Sequence, residues 1–212
     1  MPPITPQVAA KVVAVRVADT RFVLDSLAAL NAGRNPDAEQ RPLPAGLRGA
    51  LNLSRVGMFG HSLGGATAAQ AMYEDRRIEA GVNLDGTMAG AVVDAGLDRP
   101  FMLVAAQNHG RDTDASWARF WVNLRGWRLN LRLTGAGHNS FSDVQVLIPQ
   151  IAGVLQLPPE VVQQLIGTVD PHRSVLIQRA YLTAFFDLHL LHRDGRLLRR
   201  PSPRFPEMQF VP

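Results

Sequence analysis

Cysteine is absent from the 212-residue chain, and lysine occurs only once, as Lys11. Without cysteine the protein can form neither a disulfide framework nor a cysteine-ligated zinc site. The apolar fraction of 46% and the charged fraction of 19% are ordinary for a globular protein, which excludes disordered and collagen-like classes. A chain of this length is expected to bury one sizeable core, so residues 1–212 are interpreted as a single domain.

Long apolar runs are also missing, and none has the length needed to cross a bilayer. The N-terminus, MPPITPQVAAKVV, lacks the basic region and the unbroken apolar stretch of a secretion signal. The sequence as written therefore predicts a cytoplasmic protein, with secretion as the alternative if the N-terminus is truncated. Metal-binding, nucleotide-binding and redox fingerprints are absent too, so neither a metal nor another cofactor is expected.

Charge is sparse, and the net charge is only +4. Five of the 22 lysine and arginine residues cluster in residues 193–212, a segment rich in proline and arginine that is predicted to run extended over the surface. Such a segment could bind the phosphates of nucleic acid or of an anionic membrane. A solvated tail is the preferred interpretation, so no nucleic-acid partner is expected. The arginines concerned are Arg193, Arg196, Arg199, Arg200 and Arg204.

Hydrophobic periodicity predicts an α/β fold. Apolar residues at three- and four-residue intervals indicate a long opening helix over residues 6–30. Four later apolar runs have the length of strands, at residues 56–59, 80–84, 101–106 and 127–133. Further helices are predicted at residues 65–73, 114–124, 144–155, 159–167 and 172–192. The alternation predicts a mostly parallel sheet flanked by helices, followed by a helical C-terminal region.

The first predicted strand runs into Gly60-His61-Ser62-Leu63-Gly64-Gly65, and a helix-forming segment follows. Strand, sharp turn and helix in this order are typical of a nucleophile elbow, which lifts a serine hydroxyl above the sheet. The turn is tight enough to strain the serine backbone, and glycines flank it because side chains there would collide with the strand and helix. Ser62 is therefore the predicted nucleophile, and the N–H of Leu63 is the predicted oxyanion donor.

A serine hydroxyl needs a base to take its proton, and His138 is the predicted base. It lies in a loop of small residues just past the last predicted strand, where this fold places its histidine. His109 also follows a strand and is the rival candidate. His61 belongs to the elbow, and its side chain is expected to point away from the serine. Surface or core roles are expected for the three histidines of the C-terminal helical region, His172, His189 and His192.

The acid that orients the base has three candidates. Asp85 ends the second predicted strand, whereas Asp112 and Asp114 follow the third strand, where many α/β-hydrolases place their acid. A carboxylate buried at a strand tip needs a partner to offset its desolvation. Asp112 and Asp114 lie in a polar loop, and Asp114 is also in position to cap the next helix. This balance favours Asp85.

Three segments, VGMFGHSLGGATAAQAM, AGVNLDGTM and GAGHNSFSD, resemble the platelet-activating factor acetylhydrolase family, in its plasma and isoform II branch, and related bacterial lipases and esterases. The resemblance extends over about residues 8–156 and implies an α/β-hydrolase fold. In that family the acid follows the strand after the elbow. The resemblance therefore implies Ser62, Asp85 and His138 as the catalytic residues, and serine-dependent hydrolysis of carboxylic esters through an acyl-enzyme intermediate.

The resemblance also implies that strands are missing at the front. Members of this family carry several strands before the long opening helix, and a loop among them supplies half of the oxyanion hole. We therefore expect an N-terminally shortened hydrolase, with a fragment as the favoured interpretation. Alternatively, the apolar edge strand at residues 56–59 is covered by homodimerisation, since such edges tend to pair. The alternative function is a non-catalytic or weakly active hydrolase that pairs with another chain.

The expected substrate is a small-molecule ester or lipid with a short or medium acyl chain. Met88 and Phe141, each three residues past a predicted catalytic residue, are candidates to line the acyl pocket. Integral membrane association is not expected. An apolar stripe in the helix at residues 114–124 is interpreted as packing against the sheet and not as docking to lipid. The stripe consists of Trp117, Phe120, Trp121 and Leu124.

Overall fold

A five-stranded sheet organises residues 5–212, the part of the chain that the computed structural model describes. Its strands are β1 (Val56–His61), β2 (Ile78–Leu84), β3 (Phe101–Ala105), β4 (Arg128–Leu133) and β5 (Met208–Phe210). They lie side by side in chain order, the first four parallel and the last antiparallel to its neighbour. The predicted mostly parallel sheet is therefore confirmed.

Helices connect and flank the strands. They are α1 (Pro6–Asn31), α2 (Leu63–Glu74), α3 (Val92–Ala95), α4 (Ala115–Asn123), α5 (Val144–Ala152), α6 (Pro159–Ile166) and α7 (Pro171–Leu191). Proline begins α1, α6 and α7, at a position where its missing N–H costs no intrahelical hydrogen bond. Within residues 5–212, no helix combines the length and the apolar character needed to span a bilayer.

Apolar side chains cover both faces of the sheet. On one face Phe101 and Leu103 of β3 pack with side chains of α1, α2 and α4. On the other face Met102 and Val104 of the same strand pack with side chains of α7. Because alternate residues of a strand point to opposite faces, burial on both faces makes β3 a continuous apolar run in the sequence. The predicted stripe of α4 lies in the first cluster through Trp117, Phe120 and Leu124.

The last segment of the chain differs from the extended surface tail predicted for residues 193–212. It forms a short 3₁₀ turn (Arg196–Leu198) and then β5, which adds a strand to the sheet. Periodicity did not indicate this because isolated apolar residues between prolines and arginines show neither a helix nor a strand period. Three of these residues are buried against the cluster that includes α7, namely Leu198, Phe205 and Met208.

β1 lies at one edge of the sheet, next to β2. Phe59 of β1 is 54% exposed. A groove between β1 and α1 is lined by apolar side chains that include Val23, Val56 and Met58. The exposed apolar edge predicted for residues 56–59 is therefore present in the structure of residues 5–212.

Candidate active site

Ser62 occupies the tight turn between β1 and α2, with φ of 56° and ψ of −125°. A positive φ is uncommon for a residue other than glycine, and such strain costs on the order of 1–3 kcal/mol. The sheet holds the turn in place, since the N–H of Ser62 donates to the carbonyl of Leu84 at 2.9 Å. A Cβ on Gly60 would overlap the backbone of Gly64, so a glycine is needed two residues before the nucleophile.

Asp85 follows β2, and its side chain is only 3% exposed. Its Oδ2 accepts from Nδ1 of His138 at 2.7 Å. Its Oδ1 accepts from the N–H of Ala106 at 2.6 Å and from Nδ1 of His109 at 2.8 Å. Burial by itself raises the pKa of Asp85, but the hydrogen bonds from the two histidines and from Ala106 outweigh it and hold the pKa below its ordinary value. The buried carboxylate therefore has the partners that its desolvation requires.

His138 lies between this carboxylate and the serine. Nδ1 of its ring faces Asp85, and Nε2 lies 3.0 Å from Oγ of Ser62. The His138 side chain is 50% exposed, so solvent and small molecules can reach this side of the site. The structure thus brings together the three residues selected from the sequence. Their hydrogen-bonded series can move a proton from a serine hydroxyl to an imidazole that a carboxylate orients.

The loop that carries His138 is anchored by the helical C-terminal region. It forms a 3₁₀ turn (His138–Phe141), in which Oγ of Ser140 donates to the carbonyl of Ile166 at 2.6 Å. Gln178 of α7 donates to the carbonyl of Ser140 at 2.8 Å. Because both contacts are to the end of α6 and to α7, these helices fix the position of the candidate base.

Two further histidines contact the site. The ring of His61 lies against the ring of His138, with centroids 4.5 Å apart, a contact that the expected orientation away from Ser62 did not anticipate. Burial lowers the pKa of His61, and the neighbouring His138 lowers it further. His109, the rival base, lies on the other oxygen of Asp85. Its place directly after β3, beside β2, is the sequence signal that could have identified this contact.

The rejected acid candidates have other partners. Asp114 is the N-cap of α4, as predicted, and its Oδ1 accepts from the N–H of Ser116 at 2.8 Å. Its Oδ2 lies 3.0 Å from Nε2 of His109. Asp112 pairs with Arg132 at 3.0 Å. In the polar loop after β3, Asp114 therefore caps α4 and bonds to His109 instead of His138.

The other predicted site residues, Leu63, Met88 and Phe141, have different surroundings. Leu63 is the first residue of α2, so its N–H has no acceptor within the helix and is available to an oxyanion beside the serine. Phe141 is buried, and its ring stacks at 6.4 Å on the ring of His61. Met88 is buried in the core, where its sulfur accepts from the Asn83 amide at 2.9 Å. The role of Met88 and Phe141 in an acyl pocket stays a prediction.

Comparison with known proteins places this geometry in a family. The family described as platelet-activating factor acetylhydrolase, isoform II, matches residues 5–196. A protein of Arthroderma benhamiae named "Probable 1-alkyl-2-acetylglycerophosphocholine esterase" is 33% identical over 169 residues, which are 74% of this chain and 43% of that protein. A platelet-activating factor acetylhydrolase of Cavia porcellus is 28% identical over 147 residues, 68% of this chain and 32% of its own length.

The fold agrees with these sequence matches. A ferulic acid esterase from Streptomyces cinnamoneus superposes with a TM-score of 0.80 and 36% identity, over 96% of this chain and 56% of that one. The chain spans only 32–43% of the length of these two curated relatives. Because the family match covers most of the sequence, the chain belongs to the platelet-activating factor acetylhydrolase isoform II family.

Proposed function

We propose that the protein hydrolyses carboxylic esters through an acyl-serine intermediate, with Ser62, His138 and Asp85 as its catalytic residues. The observation that carries the proposal is the series of hydrogen bonds from Oγ of Ser62 through the His138 ring to Asp85, at 3.0 and 2.7 Å. Further support comes from relatives named as esterases and acetylhydrolases. The proposal is thus supported both by the geometry of the site and by the names of related proteins.

In the proposed mechanism, Oγ of Ser62 attacks the ester carbonyl while Nε2 of His138 accepts its proton. Asp85 holds Nδ1 of the ring and stabilises the imidazolium that forms. The N–H of Leu63, at the positive end of α2, stabilises the negative charge that develops on the carbonyl oxygen. The imidazolium then protonates the departing alcohol, and a water molecule activated by the same ring releases the acid from the serine.

The proposed substrate is an ester with a short or medium acyl chain, and it is either a small molecule or a lipid. Two of the relatives are named for acetyl esters of a glycerophospholipid or of platelet-activating factor, and a third is named for esters of ferulic acid. The first two names specify an acetyl group and support a short acyl chain, whereas the third specifies the larger acyl group of ferulic acid. We propose that the buried Phe141, stacked on His61 beside the base, limits the acyl side of the site. The cytoplasmic location expected from the sequence stays a prediction.

Active-site labelling tests the proposal. We expect a fluorophosphonate to label the protein covalently, because it needs only an activated serine. Ser62→Ala should abolish labelling together with nitrophenyl acetate hydrolysis. Ser54→Ala is a matched control, since this exposed serine lies before β1 and its hydroxyl donates to the nearby Asn52 side chain at 2.7 Å. A folded protein that stays unlabelled, or labelling that survives Ser62→Ala, would contradict the proposed function.

A second candidate function follows from the exposed edge of the sheet. We propose as the alternative a weakly active hydrolase that forms a homodimer through β1, whose Phe59 is exposed and whose flank is an apolar groove. This alternative predicts slow ester hydrolysis and a sedimentation coefficient that rises with protein concentration. A monomer at every concentration from micromolar upward would exclude it, and rapid turnover by that monomer would favour the first proposal.

A further inference from the structure

His109 is held between two carboxylates. Its Nδ1 lies 2.8 Å from Oδ1 of Asp85, and its Nε2 lies 3.0 Å from Oδ2 of Asp114. The His109 side chain is 19% exposed, and its ring packs on the ring of Trp117 with centroids 4.6 Å apart. Asp114 is itself fixed, because its other oxygen accepts from the backbone and the hydroxyl of Ser116. The ring is therefore restrained on both edges and on one face.

This arrangement determines the protonation of the ring. An ionised carboxylate can only accept hydrogen bonds, so both ring nitrogens of His109 must donate, and only the imidazolium does so. Burial by itself lowers the pKa of His109, but the hydrogen bonds to Asp114 and Asp85 outweigh it and raise the pKa to about 9. The charged His109 ring and the candidate base His138 therefore bond to the same carboxylate, that of Asp85.

We propose that His109 is a positioning residue, whose imidazolium, clamped by Asp114, holds the carboxylate of Asp85 so that Oδ2 faces His138. The two oxygens of Asp85 have separate partners: Oδ1 accepts from His109 and from the N–H of Ala106, and Oδ2 accepts from His138. With Oδ1 held at two points, the carboxylate cannot rotate freely about its terminal bond. The inference rests on the proposed ester hydrolysis.

The test uses the neutral variant His109→Gln in the full chain. We expect kcat to fall about tenfold to a hundredfold, as for loss of one hydrogen bond to a charged group, with little change in KM. Asp114→Ser keeps a helix-capping hydroxyl and should also lower kcat, because it releases one edge of the His109 ring, but it should add little in the His109→Gln background.

Asp112→Ser is the control, because it removes an exposed carboxylate from the same loop and should leave kcat unchanged. Folding of each variant is checked by circular dichroism. A folded His109→Gln variant with unchanged kcat would overturn the proposal. If that variant does not fold, Asp114→Ser decides in the same way.

Nitrogen-15 NMR of the histidine rings provides a readout that is independent of turnover. Both ring nitrogens of His109 should carry protons between pH 6 and pH 8, and a neutral ring at pH 7 would overturn the proposal. If the unsubstituted protein neither reacts with fluorophosphonate nor hydrolyses esters, the proposed function fails. The spectrum then still shows whether Asp85 and Asp114 hold a charged His109 ring between them.

Discussion

Raising the pH from 6.5 to 9.5 should weaken the fold by removing the charge on His109. The hydrogen bonds to Asp114 and Asp85, which outweigh the effect of burial, raise the folded-state pKa of His109 from 6.5 to about 9. The folded state therefore binds more protons than the unfolded state in this range, and the free energy of unfolding falls as pH rises. At about 1.4 kcal/mol per pKa unit, the loss is about 3 kcal/mol.

This loss is large against the 5–15 kcal/mol or so by which most domains are stable. It should be measurable by urea unfolding at a series of pH values, as a falling midpoint at constant slope. Tyr181 does not confuse the measurement, because burial raises its pKa to about 12, above the window. His109→Gln should be less stable at pH 6.5 and lack the decline. An unfolding free energy that stays flat from pH 6.5 to 9.5 in the unsubstituted protein would refute the reasoning.

Two further predictions concern other parts of the fold. Burial lowers the pKa of His189 to about 4, so its stabilising contribution is complete above pH 6.5 and should shrink by up to about 3 kcal/mol as the pH falls to 4. His189→Phe should remove this decline of the unfolding free energy at acid pH, measured by urea unfolding. The same decline in both proteins would contradict the prediction. Gly60→Ala should cost about 1–3 kcal/mol and slow fluorophosphonate labelling, because the new methyl group overlaps the backbone of Gly64. Gly64→Ala is the matched control, since a methyl group there meets open space, and equal effects in thermal unfolding would exclude the steric cause.

The positions of the three candidate catalytic residues could be predicted because each follows an apolar run that has the length of a strand. The C-terminal ends of neighbouring parallel strands meet at one edge of a sheet, so Ser62, Asp85 and His138 were expected to be close. The choice of Asp85 over Asp112 depended on desolvation, since a carboxylate at a buried strand tip needs partners. The structure places two histidines and a backbone N–H on that carboxylate.

The remaining contacts of the site depend on tertiary packing, which sequence periodicity does not reveal. The capping role of Asp114 follows from its place before α4, but its second oxygen reaches His109 only because the loop folds back toward β2. Likewise, β5 is three residues long and α3 is four, too short for either to show a period. Local patterns therefore locate the strand tips, and the loops beyond them determine which side chains meet.

The position of the acid along the chain explains why a second histidine can join the site. Ser62 and Asp85 both adopt positive φ values, 56° and 58°, directly after adjacent parallel strands. Each is pinned to the next strand, because Ser62 donates to Leu84 at 2.9 Å and Asp85 donates to Val104 at 2.8 Å. The register of β1, β2 and β3 thus sets the spacing of nucleophile and acid. An acid at the tip of β2 leaves the tip of β3 free, and His109 occupies that place, where it reaches the carboxylate oxygen that His138 does not use.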